Sequence, residues 1–308
     1  MNILYMKYAV EVAKTGSINK AADNLYIAQP NLSRAVKELE NSLGTAIFKR
    51  TPKGMTLTHD GEKFMRYAEH ILSEVDEMQN AFKGDQKNKI TFSVSAPRSC
   101  YVSRAFATFA RLLPSNVKSE ISYEETNALR TVNNLLHGGC RLGIIRYAAV
   151  YDDKFREMLD EKGFRYEFIN EFKYELIMSA YSSLAIREHI RTEDLHPLIE
   201  IAHADPYVPS LTISEIKRTE LPEDKDRRIF IYERATQFEL LNSNPDTYMW
   251  VSATPKDVLE RYELVTKTCE DNDKVYRDVL IYRNGYRLTD YDKLFISCLR
   301  DTLQELQK

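Results

Sequence analysis

Five polar side chains crowd one short stretch of this sequence: Gln29, Asn31, Ser33, Arg34 and Lys37. Amides, a hydroxyl and two cations are the groups that hydrogen-bond to base edges and neutralise phosphates. Between them Leu32, Val36, Leu39 and Leu43 recur at i, i+4, i+7 and i+11, which predicts one apolar stripe along a helix. Pro30 fits the first turn, where a missing N–H leaves no bond unmade. Taken alone, residues 29–40 describe an amphipathic surface helix as well as a reader of nucleic acid. Their flanks decide between the two.

Upstream, Leu4, Tyr8 and Val12 sit at four-residue spacing and predict a first helix ended by Gly16. Ser17 then caps a second, Ile18 to Leu25, with Lys20 facing solvent and Ala21, Ala22 and Leu25 turned inward. A short turn, Tyr26-Ile27-Ala28, leads into the polar helix. Helix, tight turn, helix is the arrangement that presents its second helix to a major groove. Downstream, residues 45–50 and 55–58 read as two short strands around the turn Thr51-Pro52-Lys53-Gly54. That is a β-hairpin wing with Lys49, Arg50 and Lys53 near its tip, placed to reach a phosphate backbone.

Charge supports the division. The 308-residue chain carries a net −3, but residues 1–58 hold eight cationic side chains against four acidic ones, net +4, leaving −7 for the rest. A basic head on an acidic body fits a DNA-binding module joined to something else. A hydrophobic content of 43% and a charged content of 29% describe an ordinary soluble protein of two or three units. No apolar run reaches membrane-spanning length and the start lacks a signal-peptide layout, so the expected compartment is the cytoplasm, with no membrane partner. Cys100, Cys140, Cys269 and Cys298 form no C-x-x-C pair and read as reduced, buried thiols.

The run Ser17-Ile18-Asn19-Lys20-Ala21-Ala22, then Gln29-Pro30-x-Leu32-Ser33-x-x-Val36-x-x-Leu39-Glu40-x-x-Leu43-Gly44-x-x-Ile47-Phe48-x-Arg50, then Leu57-Thr58-x-x-Gly61 resembles the N-terminal signature of LysR-type transcriptional regulators. Where many of that family carry Ser or Thr before the glutamine, this chain has Ala28, which removes a side-chain cap worth ~1 kcal/mol. The resemblance implies a DNA-binding regulator, not an enzyme. It would act as a homodimer or homotetramer on double-stranded promoter DNA, with RNA polymerase as a further partner. Candidate DNA contacts are Ser17, Asn19, Lys20, Gln29, Pro30, Asn31, Ser33, Arg34, Lys37, Arg50 and Lys53.

From Asp60 the period changes. Phe64, Ala68, Ile71, Val75, Met78 and Phe82 are spaced 4, 3, 4, 3, 4, a heptad seam on a helix from about 59 to 84, roughly 39 Å long. Its stripe needs a partner, either its own domain or, as the resemblance implies, a second chain. Gly84 to Asn88 is a polar break. Beyond it strands and helices alternate: strands near 90–95, 117–123, 142–145, 164–170, 173–179, 199–202, 228–232, 248–252, 262–268 and 275–282, helices near 102–113 and 128–137, and a last one ending at Gln307. The expected fold is α/β overall. It comprises a winged helix-turn-helix (1–58), a linker helix for dimerisation (59–86) and an effector-binding domain (87–308). The resemblance makes that last domain like a periplasmic binding protein, two α/β subdomains joined by two crossovers with a cleft between.

Ligands in open α/β sheets bind at the carboxyl ends of strands. That rule selects Ser95, Arg98, Ser99, Thr126, Asn127, Arg146, His203 and Ser252 as the candidate effector site. Arg98 and Arg146 would suit an anionic small molecule, unless local carboxylates already pair with them. No nucleotide-binding glycine loop, nucleophile elbow or metal-ligand spacing is present, so neither cofactor nor metal is expected. Two other readings are a regulator that needs no ligand, and a solute-binding protein or enzyme with an accessory DNA-binding head; the latter would carry an export signal or a catalytic constellation.

Overall fold

The structure, a computed structural model, describes residues 2–51, 54–82, 89–220 and 227–306. The chain divides into two compact units, Met1–Lys89 with Leu136–Gly139, and Ile90–Leu135 with Cys140–Lys308.

The first unit begins with α1 (Ile3–Thr15), α2 (Ile18–Asn24) and α3 (Gln29–Leu43). Each boundary has a local cause. The Asn2 side chain accepts the Leu4 N–H at 2.9 Å, and Gly16 closes α1 in the left-handed conformation. Ser17 accepts from Lys20 to start α2. Tyr26 carries the turn with φ +53°, its ring 96% exposed. This left-handed residue is held by the Tyr26 N–H bond to the Asp23 carbonyl and the Ile27 N–H bond to the Ala22 carbonyl. At the start of α3, Ala28 gives no side-chain cap, and Gly44 ends the helix.

Two strands, β1 (Phe48–Thr51) and β2 (Gly54–Leu57), pair antiparallel with Phe48 opposite Leu57. Then α4 (His59–Phe82) begins at Thr58, whose hydroxyl accepts the Gly61 N–H at 2.9 Å and donates to the Ala46 carbonyl at 2.6 Å. Gly61 is required by space: a Cβ there would lie 2.0 Å from the Ile47 carbonyl oxygen. One core gathers Met6, Ala9 and Val12, the tandem Ala21 and Ala22, Leu32, Val36 and Leu39, then Ile47 and Phe48, and finally Met65, Ala68 and Leu72 of α4. Leu43, expected on the same stripe, lies largely exposed at the last turn.

The second unit holds two five-stranded mixed sheets. The chain runs β3 (Lys89–Ala96), α5 (Cys100–Arg111), β4 (Lys118–Glu125), α6 (Ala128–Leu136), β5 (Leu142–Ala148), α7 (Asp152–Glu161) and β6 (Phe164–Lys173). It crosses to a second sheet through β7 (Glu175–Ser179), β8 (Ile199–His203), α8 (Ile213–Glu220), β9 (Arg228–Ile231), α9 (Ala235–Ser243), β10 (Thr247–Val251), α10 (Lys256–Arg261) and β11 (Leu264–Lys267). It returns through β12 (Val275–Arg283) and ends in α11 (Asp290–Leu306).

The first sheet is ordered β4-β3-β5-β12-β6, with β3 parallel to β5 and β12 antiparallel to both β5 and β6. The second is ordered β11-β7-β10-β8-β9, with β8 parallel to β9 and β10, and β7 antiparallel to β10 and β11. Parallel pairing follows from the helical crossovers; the antiparallel members are the segments that carry the chain between sheets. Phe92, Phe109 and Phe295 pack together at the centre of the first sheet's core, where α5 lies against α11. The observed architecture is the expected one, a winged helix-turn-helix and long helix followed by two α/β subdomains joined by two crossings.

Candidate functional site

On α3 the polar side is open. Gln29, Pro30, Asn31, Arg34 and Lys37 are exposed and Ser33 half-buried, while Leu32, Ala35, Val36 and Leu39 are buried. Asn19 and Lys20 on α2 are exposed, as are Lys49 and Arg50 on the wing. Ser17 is half-buried, and its hydroxyl serves as the cap of α2. Lys53 lies outside the described residues. Several acidic side chains of this unit are engaged internally. Glu11 accepts from the Asn24 amide at 2.7 Å. Glu40 accepts the backbone N–H groups of Ile47 and Phe48 at 2.8 and 3.0 Å. The hydrogen bond to Glu38, then its charge, raises the Tyr5 hydroxyl above its ordinary value. These carboxylates bond within the domain, and the helix side carrying Arg34 and Lys37 keeps its positive field.

The Glu40 contact was not foreseen from sequence. It ties the recognition-type helix to the root of the wing, so the two cationic elements move as one piece. On the other side the Met55 N–H bonds to the Gly16 carbonyl at 2.8 Å, and a Cβ on Gly54 would lie 2.5 Å from that same oxygen. The wing is thus pinned at both strands.

The expected dimerisation seam divides in two. Ala68 is 0% exposed inside its own domain, and Phe64 and Ile71 pack against the same core. Ala68 therefore has no surface to offer a second chain, because α1 lies over this part of α4. Val75 is half-buried and Met78 is 56% exposed. The side chain of Phe82 is outside the described residues.

In the second unit a cavity of about 900 Å³ opens between the two sheets. Arg98, Thr126, Asn127, Arg146 and His203 line it, as strand-end reasoning expected. Ser95, Ser99 and Ser252 do not line it. Ser95 is buried against the Thr131 hydroxyl at 3.1 Å, and Ser99 and Ser252 face each other at 3.2 Å. They are spent on holding the wall. Tyr147, beside Arg146 at the same strand end, lines the cavity as strand-end reasoning also expected; the rest of the aromatic lining was missed: Tyr151, Tyr174, Tyr207, Tyr248, Tyr276 and the single Trp250. Their scatter through the chain gives no local signal.

Both arginines already have carboxylate partners. Arg98 forks onto Asp205, Nη1 to Oδ1 at 2.8 Å and Nη2 to Oδ2 at 3.1 Å, joining the end of β3 to the loop after β8. Asn127 donates to the same residue, to its carbonyl at 2.9 Å and its carboxylate at 3.2 Å. Arg146 forks onto the fully buried Asp278 at 2.8 and 2.7 Å and donates to Ser252 at 3.2 Å. Its guanidinium also lies 4.7 Å from the Phe172 ring centre. Tyr101 donates a further bond to Asp278. Burial raises the Asp205 carboxyl, but the bonds and charge of Arg98 outweigh it and hold the group below its ordinary value. Burial, then the charge of Arg98, pulls His203 down to about 4, so its ring is neutral at physiological pH.

Four polar atoms on the cavity wall are buried without a hydrogen-bond partner among the described residues: Arg98 Nε, Thr126 Oγ1, His203 Nδ1 and Glu220 Oε1. Buried polar groups ordinarily find partners, so their meeting around one cavity, Arg98 and Thr126 from the first sheet's side and His203 and Glu220 from the second's, marks a place built to meet something. Among the described residues there is no cluster of three or more metal-ligating side chains and no helix long and apolar enough to cross a membrane. All four cysteines are buried thiols whose pKa values burial raises, Cys140 to about 11 and Cys269 to about 12.

Residues 4–62 match the family of bacterial regulatory helix-turn-helix proteins of the lysR family. The uncharacterised HTH-type transcriptional regulator YcgK of Bacillus subtilis is 44% identical over 78 residues, 25% of this chain and 24% of YcgK. The matched stretches span half or less of the leading curated relatives' own length. Full-length CbnR complexed with its target DNA superposes with a TM-score of 0.60 at 17% identity, covering 98% of this chain and 100% of CbnR. Full-length LysG of Corynebacterium glutamicum with bound effector Arg gives 0.60 at 15% identity, covering 99% of each. Residues 4–62 are thus a lysR-family helix-turn-helix domain, and the chain as a whole shares the fold of these full-length regulators.

Proposed function

We propose that the protein is a sequence-specific, DNA-binding regulator of transcription whose DNA affinity answers to a small molecule in the second unit's cleft. The observation that carries the DNA half is the exposed row Gln29, Asn31, Arg34 and Lys37 on a helix whose other side is locked into a helix-turn-helix core. Arg34 and Lys37 supply base or phosphate contacts, Gln29, Asn31 and Ser33 add hydrogen bonds, and Lys49, Arg50 and Lys53 grip the flanking backbone. Ser17, Asn19 and Lys20 approach the phosphates from the start of α2. The ligand half rests on the four unpartnered polar atoms around one cavity. LysG, a structural relative, holds an effector, which supports this reading.

The functional division follows residues 1–58 for DNA, 59–86 for pairing of chains and 87–308 for the effector. Two chains pair through α4 beyond Leu72, where the helix leaves its own core and presents Val75 and Met78; Phe64 and Ile71 contribute only their remaining surface. Dimers, or tetramers built from them, act in the cytoplasm on promoter DNA and address RNA polymerase. Fluorescence anisotropy of the purified chain on its own upstream DNA, against scrambled DNA at several salt concentrations, tests this. Preference for the native sequence that persists as salt rises is expected. Equal binding that collapses with salt would reduce the head to a non-specific polycation.

A further inference from the structure

The cleft's electrostatics do not suit an anion. Among the described residues its lining holds three permanent cations, Arg98, Arg146 and Lys274, against five carboxylates. Each cation already has a carboxylate partner: Asp205 for Arg98, Asp278 for Arg146 and Glu220 for Lys274. Two of these are forked pairs, the geometry in which a guanidinium is most fully satisfied by one carboxylate. A ligand carboxylate would have to share Arg98 with Asp205 at close range, and two like charges there repel in a partly desolvated site.

What the wall leaves unspent is different in kind. The Arg98 side chain is 8% exposed, and its Nε–H points away from the fork with no partner among the described residues. Thr126, 3% exposed, presents an unpartnered hydroxyl; it adjoins Asn127, which also bonds to Asp205. His203 Nδ1 belongs to the same group, since its ring feels the charges of both Arg98 and Asp205. One N–H, one hydroxyl and one neutral ring nitrogen around an already neutralised ion pair match a carbonyl or hydroxyl oxygen. Elsewhere on the wall Glu220 Oε1 is an unpartnered acceptor, which calls for a donor, neutral or cationic. The same lining holds Tyr147, Tyr174, Tyr207, Trp250 and Tyr276, and aromatic faces stack on rings and attract cations.

We propose that this cleft takes a ring-bearing small molecule that is uncharged or singly cationic, with a carbonyl or hydroxyl oxygen on Arg98 Nε and Thr126, and not an anion. The proposal rests on the reading of the cleft as an effector site and names its ligand class.

The test is calorimetry of the full chain with a matched series on one ring: indole-3-acetate, indole-3-acetamide and tryptamine. The amide or the amine is expected to bind at least about tenfold more tightly than the carboxylate. Asp205→Asn, which leaves Arg98 uncompensated, is expected to narrow or reverse that gap. Carboxylate binding equal to or tighter than both others in the wild type overturns the proposal, as does binding of none of the three at millimolar concentration. Should Asp205→Asn fail to fold, the wild-type order alone decides. Adding each compound to the DNA anisotropy assay separates this claim from the one beneath it. A carboxylate that binds best and shifts DNA affinity sinks the charge class and leaves the effector reading standing. An amide or amine that binds selectively without touching DNA affinity does the reverse.

Discussion

The carboxylate of Glu40 on α3 accepts the backbone N–H of Ile47 at 2.8 Å, and its same oxygen takes that of Phe48 at 3.0 Å. Both residues are buried in the domain core, so no water replaces the acceptor when it is removed. Glu40→Ala should destabilise the N-terminal unit by about 3 kcal/mol, the cost of stranding two buried donors. Glu40→Gln keeps an acceptor and should cost about 1 kcal/mol. Urea unfolding of the three proteins, followed at the N-terminal transition, measures the difference. Equal stability of the alanine and glutamine variants would mean the contact does not hold the wing.

Ala28 opens α3 in an extended conformation, φ −67° and ψ 132°, with no side-chain acceptor for the first N–H groups. That backbone already suits a capping residue. Ala28→Ser should therefore stabilise the same unit by about 0.5–1 kcal/mol, seen as a raised denaturation midpoint with an unchanged slope.

His203 gives the second unit a pH dependence of known sign. Its ring is held neutral, with a pKa of about 4, whereas an unfolded histidine titrates near 6.5. As pH falls between those values the unfolded chain binds a proton that the folded chain cannot, so stability drops, at most by about 1.4 kcal/mol per pH unit. Asp205, held below its ordinary value, loses its contribution only at lower pH, beneath the range of unfolded aspartate near 3.9. Comparing pH 7 with pH 5 therefore isolates the histidine (both values flank its unfolded pKa of about 6.5). Wild type should lose more stability across that step than His203→Gln, and an identical loss would contradict the burial assigned to the ring.

Local patterns were legible in the sequence and long-range partners were not. The stripe Leu32, Val36, Leu39 announced which side of α3 is buried, because helical periodicity is a property of neighbours. Alternating apolar runs likewise located the strands of both sheets, and Gly16 and Gly44 marked helix ends. The short helices α7 to α10 went unread because six to ten residues give a period too few repeats to weigh, although Phe155, Met158 and Leu159 of α7 do fall at i, i+3 and i+4. Arg98 and Asp205 are 107 residues apart, and Arg146 and Asp278 are 132 apart. No spacing rule joins such pairs, and an arginine read alone looks like an anion site. Ser95, Ser99 and Ser252 were placed correctly at strand ends, but the direction in which a small side chain turns there is set by packing, as their contacts with Thr131 and with each other show. Gly61 stood in the motif without a stated reason; the Ile47 carbonyl oxygen 2.0 Å from where its Cβ would be supplies it.

The central claim, that α3 reads sequence, is tested most directly by one ratio. Anisotropy titrations would give the affinity for upstream DNA over that for scrambled DNA, for wild type and for the triple variant Asn31→Ala, Ser33→Ala, Arg34→Ala. These exposed or half-exposed positions lie off the buried stripe, so the fold should persist. The account predicts that the wild-type preference falls by at least about tenfold in the variant, because each lost base contact removes roughly 1–3 kcal/mol of discrimination, while affinity for scrambled DNA changes far less. A variant that keeps the full preference would place sequence reading somewhere other than α3.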